Sequence, residues 1–313
     1  MSIKKHIRFD WAIKRLLRQK ANFTVLEGFL SELLFDKIII REILEGEGNQ
    51  EVEDDKFNRV DILVKDSKEE LILIEVQNES EHEYFHRMNY GQAKLITEHI
   101  DMGDSYDKIK KVISINIVYF DLGHGNDYIY IGKTEFTGMH TSEKLELSEK
   151  QKQLYPVKEV SDIFTKYYIL KVNKFNEVAK NTLDEWIYFL KTSEIKDEFN
   201  AQGLKEAKEI LRVDNLSPEE KRAYYNYIEG RRIREGEHKS ALFDGYWIAK
   251  EELESILEQE RKEKEKAQKE KEQAQKEKEK VQIESARQMK RFGMPLEDII
   301  KATGLSKHDI ENL

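Results

Sequence analysis

Two acidic residues fourteen positions apart, Asp61 and Glu75, are the first candidates for chemistry. They lie in the segment NRVDILVKDSKEELILIEVQN, residues 58–78, where two strand-like runs flank the polar turn Asp66-Ser67-Lys68-Glu69. An antiparallel hairpin centred on Lys68 sets Val64 against Ile72, Ile62 against Ile74 and Val60 against Val76. One face is then β-branched throughout and suits burial. The other pairs Leu63 with Leu73, Asp61 with Glu75 and Arg59 with Gln77, and is polar only away from the turn. Alternation places Glu75 and Gln77 on that same face. Neighbouring strands lie about 4.8 Å apart, and two carboxylates held so close repel unless a proton or cation lies between them. Hard oxygen donors suit Mg²⁺ or Mn²⁺. Such an ion polarises a phosphodiester and lowers the pKa of water, and Gln77, one pleat further on, could orient that water. The competing reading is a solvated hairpin end whose charges pair with Arg59 and lysines.

Two further patterns bear on function. His82-Glu83-Tyr84-Phe85-His86 is a literal H-E-x-x-H. On a helix its histidines would share a face and could bind zinc, with Glu83 as general base. The longer zinc-protease signature fails at Asn89, where it requires glycine, although Glu98, His99 and Asp101 are candidate third ligands. The segment also opens a helix directly after the strand carrying Gln77, a position that orients histidines poorly. A zinc metalloprotease is therefore kept as the alternative to discriminate. The second pattern is the N-terminal arm, where Lys4, Lys5, Arg8, Lys14, Arg15, Arg18 and Lys20 face only Asp10 up to residue 20. It is either a track for a DNA backbone or a solubilising helix face. Asp10 is expected as an N-cap.

The elements that must position these residues can be read from periodicity. Residues 22–36 form an amphipathic helix, with Val25, Phe29, Leu33 and Leu26, Leu30, Leu34 at three- and four-residue steps and Asn22 as its cap. Residues 37–44 read as a strand, followed by a polar loop with Gly46 and Gly48. Residues 83–100 read as a helix, 111–120 as a buried strand and 127–136 as its partner. Beyond about 160 the pattern is mostly helical. Trp186, Phe189 and Leu190 mark one helix, and Ser217-Pro218-Glu219-Glu220 caps another. Ala267 to Gln273 repeats almost unchanged as Ala274 to Lys280. Only Ala267, Ala274 and Val281 offer an apolar seam there, too thin to drive a strong coiled coil, so an extended helical spacer is expected, with weak homo-oligomer formation open to it. The tail from Gly293 holds two short helices separated by Thr303-Gly304-Leu305, the second capped by Ser306. It is similar to a helix-turn-helix, for which Ala286, Met289 and Phe292 would supply the missing core.

Composition narrows the field further. Among 313 residues, 53 Lys and Arg stand against 62 Asp and Glu, a formal net charge of -9, which argues against binding nucleic acid by bulk charge alone. A local metal-assisted approach to phosphate stays open. The sequence has no cysteine, so disulfides, thiolate zinc sites and cysteine nucleophiles are excluded. No run of about 18 apolar residues is present, and the opening MSIKKHIRFDWAIKRLL lacks a signal-peptide core. A cytoplasmic location without membrane partners is expected.

Asp61 followed by Glu75-Val76-Gln77 resembles the core of the PD-(D/E)XK nucleases. More narrowly, the chain resembles the Rpn family of recombination-promoting nucleases and transposases. The matching pieces are Arg59-Val60-Asp61-Ile62, Ile74-Glu75-Val76-Gln77, Arg87, Tyr90, Gly103, Tyr106 and Val112-Ile113-Ser114-Ile115, with Phe9 to Lys14 and Leu26 to Leu34 for the leading helices. Residues 204–260 and the tail through Gly304-Leu305-Ser306 also match, so the resemblance covers nearly the whole chain. It implies an α/β, restriction-endonuclease-like core with a mixed central sheet flanked by helices. The expected division is a core over 1–145, a helical extension over 146–245, a charged helical spacer over 246–290 and a helix-turn-helix-like tail over 291–313. It further implies a metal-dependent DNA endonuclease acting in recombination or transposition. Asp61 and Glu75 would bind Mg²⁺ or Mn²⁺, joined by Glu27 of the leading helix, with Glu32 its competitor. Gln77, where the superfamily has lysine, would position water, while Arg59, Arg87, Tyr90, Lys14 and Arg15 would contact DNA. A catalytically degenerate DNA-binding accessory protein is the alternative.

Overall fold

The hairpin register is the one that alternation predicts: Ile62 faces Ile74, Leu63 faces Leu73 and Val64 faces Ile72. The turn forms because Asp66 Oδ1 accepts from the amides of Lys68 and Glu70, both at 2.9 Å, closing the chain in the manner of an Asx turn. Glu69 takes the left-handed conformation this requires, with φ of 64°. The computed structural model describes residues 6–44, 61–154 and 157–313. Lys4, Lys5, Gly46, Gly48, Arg59 and Val60 lie outside the described residues.

The hairpin belongs to a six-stranded mixed sheet. Strand β1 (Ile40–Leu44) is an edge, antiparallel to β2 (Ile62–Asp66), which pairs with β3 (Leu71–Gln77). Strand β4 (Val112–Val118) runs parallel to β3, β5 (Ile129–Gly132) is the other edge, and β6 (Lys166–Lys171) lies between them. All seven residues of β4 are buried, as a central parallel strand requires. The sequence reading paired residues 127–136 with 111–120 and expected mostly helix beyond 160. Instead β5 pairs antiparallel with β6, and β6 pairs parallel with β4. The short run KYYILK carries lysine at both ends, so only its tertiary pairing makes it a strand.

Helices flank the sheet. They are α1 (Phe9–Arg15), α2 (Phe23–Leu34), α3 (Tyr84–Glu98), α4 (Glu149–Leu154), α5 (Thr182–Thr192) and α6 (Leu204–Ile210). The predicted stripe of α2 is buried at Val25, Leu26, Phe29, Leu30 and Leu33. Phe29 and Trp186 lie 5.4 Å apart between ring centroids, and Phe9 lies 5.5 Å from Phe29. These edge and tilted contacts lock α1, α2 and α5 together. Asn181 caps α5 through the Asp184 amide at 2.9 Å. Asn22 stands at the cap position of α2 but donates its side-chain amide to the Leu16 carbonyl instead. At Gly28 the α2 backbone passes so close to Gln202 and Gly203 that an added Cβ would sit 2.3 Å from the Gln202 oxygen. Gly203 itself holds φ of 80°.

The chain divides into two units, residues 1–227 and 228–313. Helix α7 (Pro218–Arg291) begins in the first and runs unbroken through the charged repeat of the second. Ser217 starts it as predicted: its hydroxyl accepts from the Glu220 amide at 3.2 Å, and its own amide donates to Glu220 Oε2 at 2.9 Å, a capping box. In the second unit, α8 (Leu296–Thr303) and α9 (Lys307–Glu311) close on Ala286 and Met289 of α7 around Ile299 and Ile310. Ser306 caps α9. Phe292, expected in this core, is 85% exposed. The turn at Gly293, with φ of 77°, follows it directly.

Candidate active site

Asp61 stands immediately before β2, and its carboxylate is held from two sides. Oδ2 accepts the Val76 amide of β3 at 2.7 Å, and Oδ1 lies 2.8 Å from Lys14 Nζ. Arg18 donates to the Asp61 carbonyl at 2.6 Å. The start of β2 is thus tied to the chain at and just after α1. That segment is itself anchored beside the end of β3. Arg8 forks onto Asp10, with Nη2 to Oδ2 at 2.8 Å, and reaches Asn78 at 3.3 Å. Asp10 is buried and also accepts from Tyr227 at 2.8 Å. It therefore serves as a buried ion-pair partner inside the first turn, and the expected N-cap position belongs to Arg8. Arg8 holds its charge firmly in this pair.

Glu75 lies one strand across from Asp61. Only 5% of it is exposed. Burial pushes its carboxyl up to about 7, against the pull of Arg87 and with the Asp61 charge adding to the rise. Its polar contacts come from two residues to which the sequence reading gives no role at the site. The Tyr84 hydroxyl of α3 lies 3.4 Å from Glu75 Oε2 and 3.2 Å from Asn116 Oδ1. Asn116 sits beside Glu75 in the parallel β3–β4 register and donates to Ser114 Oγ at 3.0 Å. Asp61, Glu75 and Asn116 therefore form a polar row across three adjacent strands, covered by Tyr84. The trace of this row in the sequence was the pair Ser114 and Asn116, two residues apart inside the apolar run VISINIV. Two polar side chains on one face of a buried strand need partners.

The remaining candidates stand as follows. Gln77 ends β3, partly exposed, opposite Val118. Arg87 pairs with Glu81 at 3.0 Å while its field reaches Glu75. Tyr90 is 44% exposed on α3. Arg15 stacks over Trp11 at 5.6 Å. Glu27 accepts the Ile40 amide at 2.8 Å, docking α2 on β1, and Glu32 accepts from Thr182 and Gln202. Arg59 is among the undescribed residues. His82 and Glu83 are exposed and precede α3, and His86 is exposed within it, so the H-E-x-x-H residues do not share a helix face. Among the described residues no group of three or more His, Asp or Glu is gathered for a metal ion.

A family model described as PD-(D/E)XK nuclease family transposase matches residues 7–232. The chain belongs to that family. Membership carries a nuclease- or transposase-associated role, DNA as the implied substrate class, and the divalent ion that PD-(D/E)XK nucleases generally use. The match takes in Asp61, Glu75 and Gln77 and stops shortly after the start of α7. Comparison with curated proteins and with solved structures gave no match. No helix of the described residues is long and apolar enough to cross a membrane.

The site's donors fit a divalent ion. Asp61 and Glu75 present hard oxygens from adjacent strands. Glu75 is buried and makes no ion pair within 4 Å among the described residues. A carboxylate in that setting gains from a cation, and two carboxylates completed by water are enough for Mg²⁺.

Proposed function

We propose that this protein is a divalent-metal-dependent DNA endonuclease of the Rpn type, acting in recombination or transposition. The observation that carries the reading is the polar row itself, with Asp61, one residue before β2 and bonded to the Val76 amide, next to Glu75 of β3 within the matched region. Asp61 and Glu75 hold Mg²⁺ or Mn²⁺, with Glu27 assigned an assisting role. When bound, that ion polarises the phosphodiester and acidifies water. Gln77, at the open end of β3, orients the attacking water through its amide. It supplies no positive charge, so the charge facing the phosphate comes from Lys14 on α1. Arg15, Arg59, Arg87 and Tyr90 complete the contact with the DNA backbone. Lys14 is half-exposed while Asp61 is nearly buried. The lysine can therefore turn from the carboxylate to a phosphate when a metal ion takes over Asp61.

One observation favours a second reading. Lys14 already neutralises Asp61, and β3 carries glutamine at position 77. A protein that binds DNA and does not cut it would have this appearance. Supercoiled plasmid incubated with purified protein and Mg²⁺ separates the two. Cleavage that Asp61→Ala abolishes and His86→Ala spares supports the endonuclease. Tight DNA binding without cleavage by the unaltered protein supports the accessory role. Bound zinc lost together with activity in His86→Ala would refute both.

A further inference from the structure

Helix α7 carries an apolar stripe in the second unit that lies open to solvent. Leu242, Tyr246, Leu253, Ile256 and Leu257 are between 50% and 62% exposed, and Ala249 between them is exposed as well. At about 100° per residue these six side chains fall within an arc of roughly 100°. From Leu242 to Ile256 their spacing alternates four and three, the two-position seam of a coiled coil, and Leu257 flanks it. After an interruption at Glu260 the line resumes at Ala267, Ala274 and Val281, each a multiple of seven from Tyr246. The other seam position turns to glutamate at 263, 270 and 277. The apolar part is therefore a patch of about two heptads with charged helix beyond it. Phe243 and Trp247, in edge contact at 5.9 Å, widen one side.

A soluble helix does not leave such a stripe bare. A period of seven matches another helix of the same period, since only then does the seam stay in contact over several turns. The size agrees. The exposed parts of the five large apolar side chains of the stripe, half or more of each, amount to roughly 550 Å² per chain, and the flanking Phe243 and Trp247 bring it towards the roughly 800 Å² that each partner contributes to a standard stable interface. Charge selects the direction. A parallel, in-register pair would oppose Glu263, Glu270 and Glu277 with their own copies. An antiparallel pair centred on residue 251 sets Tyr246 on Ile256 and Ala249 on Leu253, and brings the seam residue Lys239 opposite Glu263.

We infer that a second copy of this chain occupies the stripe, so that two α7 helices pair antiparallel through residues 242–257. The full-length protein is expected to elute as a dimer by light scattering at micromolar concentration. Leu253→Glu with Ile256→Glu should reduce it to a monomer with unchanged helix content. Ile248→Glu, on the opposite face of α7, should leave the dimer intact. A monomer at every concentration, or a dimer that survives the double substitution, overturns the inference. The absence of native cysteine gives a direct test of direction. Under oxidation, Ala249→Cys and Leu253→Cys chains should cross-link when mixed. Cross-linking by Ala249→Cys alone refutes the antiparallel pairing.

Discussion

Lys14 Nζ lies 2.8 Å from Asp61 Oδ1, so the positive charge beside the acidic pair comes from α1 and not from β3. The two residues are 47 positions apart in sequence, and their meeting depends on α1 being fixed twice. Phe9 packs into the aromatic cluster with Phe29 and Trp186, and Arg8 ties the start of the helix to Asn78. Lys14→Ala is expected to cost little stability, about 1 kcal/mol, since half of the lysine side chain is exposed and Asp61 keeps its bond to the Val76 amide. Cleavage should fall roughly 10²-fold, as when one charge-stabilising group is lost. Mg²⁺ should bind more tightly to the variant, because Asp61 no longer carries a resident cation. Titration of the metal by calorimetry beside single-turnover cleavage checks both halves. Weaker metal binding in the variant would refute the arrangement.

The Glu75 carboxyl makes stability depend on pH in an unusual direction. Burial raises it from 4.5 to about 7. Between those values the folded protein keeps a proton that the unfolded chain has released. The contribution is therefore fully present below about 4.5 and is lost as the pH rises through about 7. Its full size is about 3 kcal/mol. In urea unfolding, Glu75→Gln should lose this part of the slope while the unaltered protein becomes less stable from pH 5 to pH 8. Saturating Mg²⁺ should remove the loss at pH 8, because an ion at the site favours the ionised form. A difference between the two proteins that stays flat over this range would refute the buried, metal-free acid.

The acidic pair was legible because a hairpin has two rules only: alternation and a turn. Asp66 satisfied the turn and the β-branched face fixed the register, so Asp61 and Glu75 had to meet. The polar partners of Glu75 were not legible in the same way. Tyr84 comes from α3, after the strand has ended, and sits inside a histidine motif whose only site reading was the zinc alternative. Asn116 reaches Glu75 only through the parallel β3–β4 pairing, which no local pattern encodes. The same gap hid β6, whose strand character comes from its neighbours on the sheet. Lys14 was read as one member of a basic arm, because a contact spanning two elements leaves no periodic signal.

Tyr84→Phe tests whether the covering hydroxyl matters. It removes the donor shared by Glu75 and Asn116 and leaves the ring packed. The buried oxygen it serves then lacks a donor, at a cost of about 1–3 kcal/mol. The Tyr84 hydrogen bond also holds the Glu75 carboxyl down, so without it the titration should move further upward. Chemical denaturation gives the first quantity. The pH dependence of the difference between Tyr84→Phe and Tyr84→Phe with Glu75→Gln gives the second. An upward move without loss of stability would mean that water replaces the hydroxyl.

Gly28→Ala addresses the scaffold that carries α1. The new methyl would lie 2.3 Å from the Gln202 oxygen and 2.5 Å from the Gly203 Cα. Both are backbone atoms that cannot swing aside, and Gly203 is already committed to a left-handed turn. The α2–α6 contact must therefore open, which is expected to cost about 1–3 kcal/mol or more. Trp186 donates its indole hydrogen to the same Gln202 carbonyl at 3.0 Å, so the shift should also appear in the tryptophan fluorescence of the folded protein. The spectral change should persist in conditions where the variant is fully folded. The same backbone step holds α2 against α5 and, through Phe9, sets the position of α1. A loss of DNA cleavage larger than the loss of folded fraction should accompany it. Equal losses would confine the effect of Gly28 to stability.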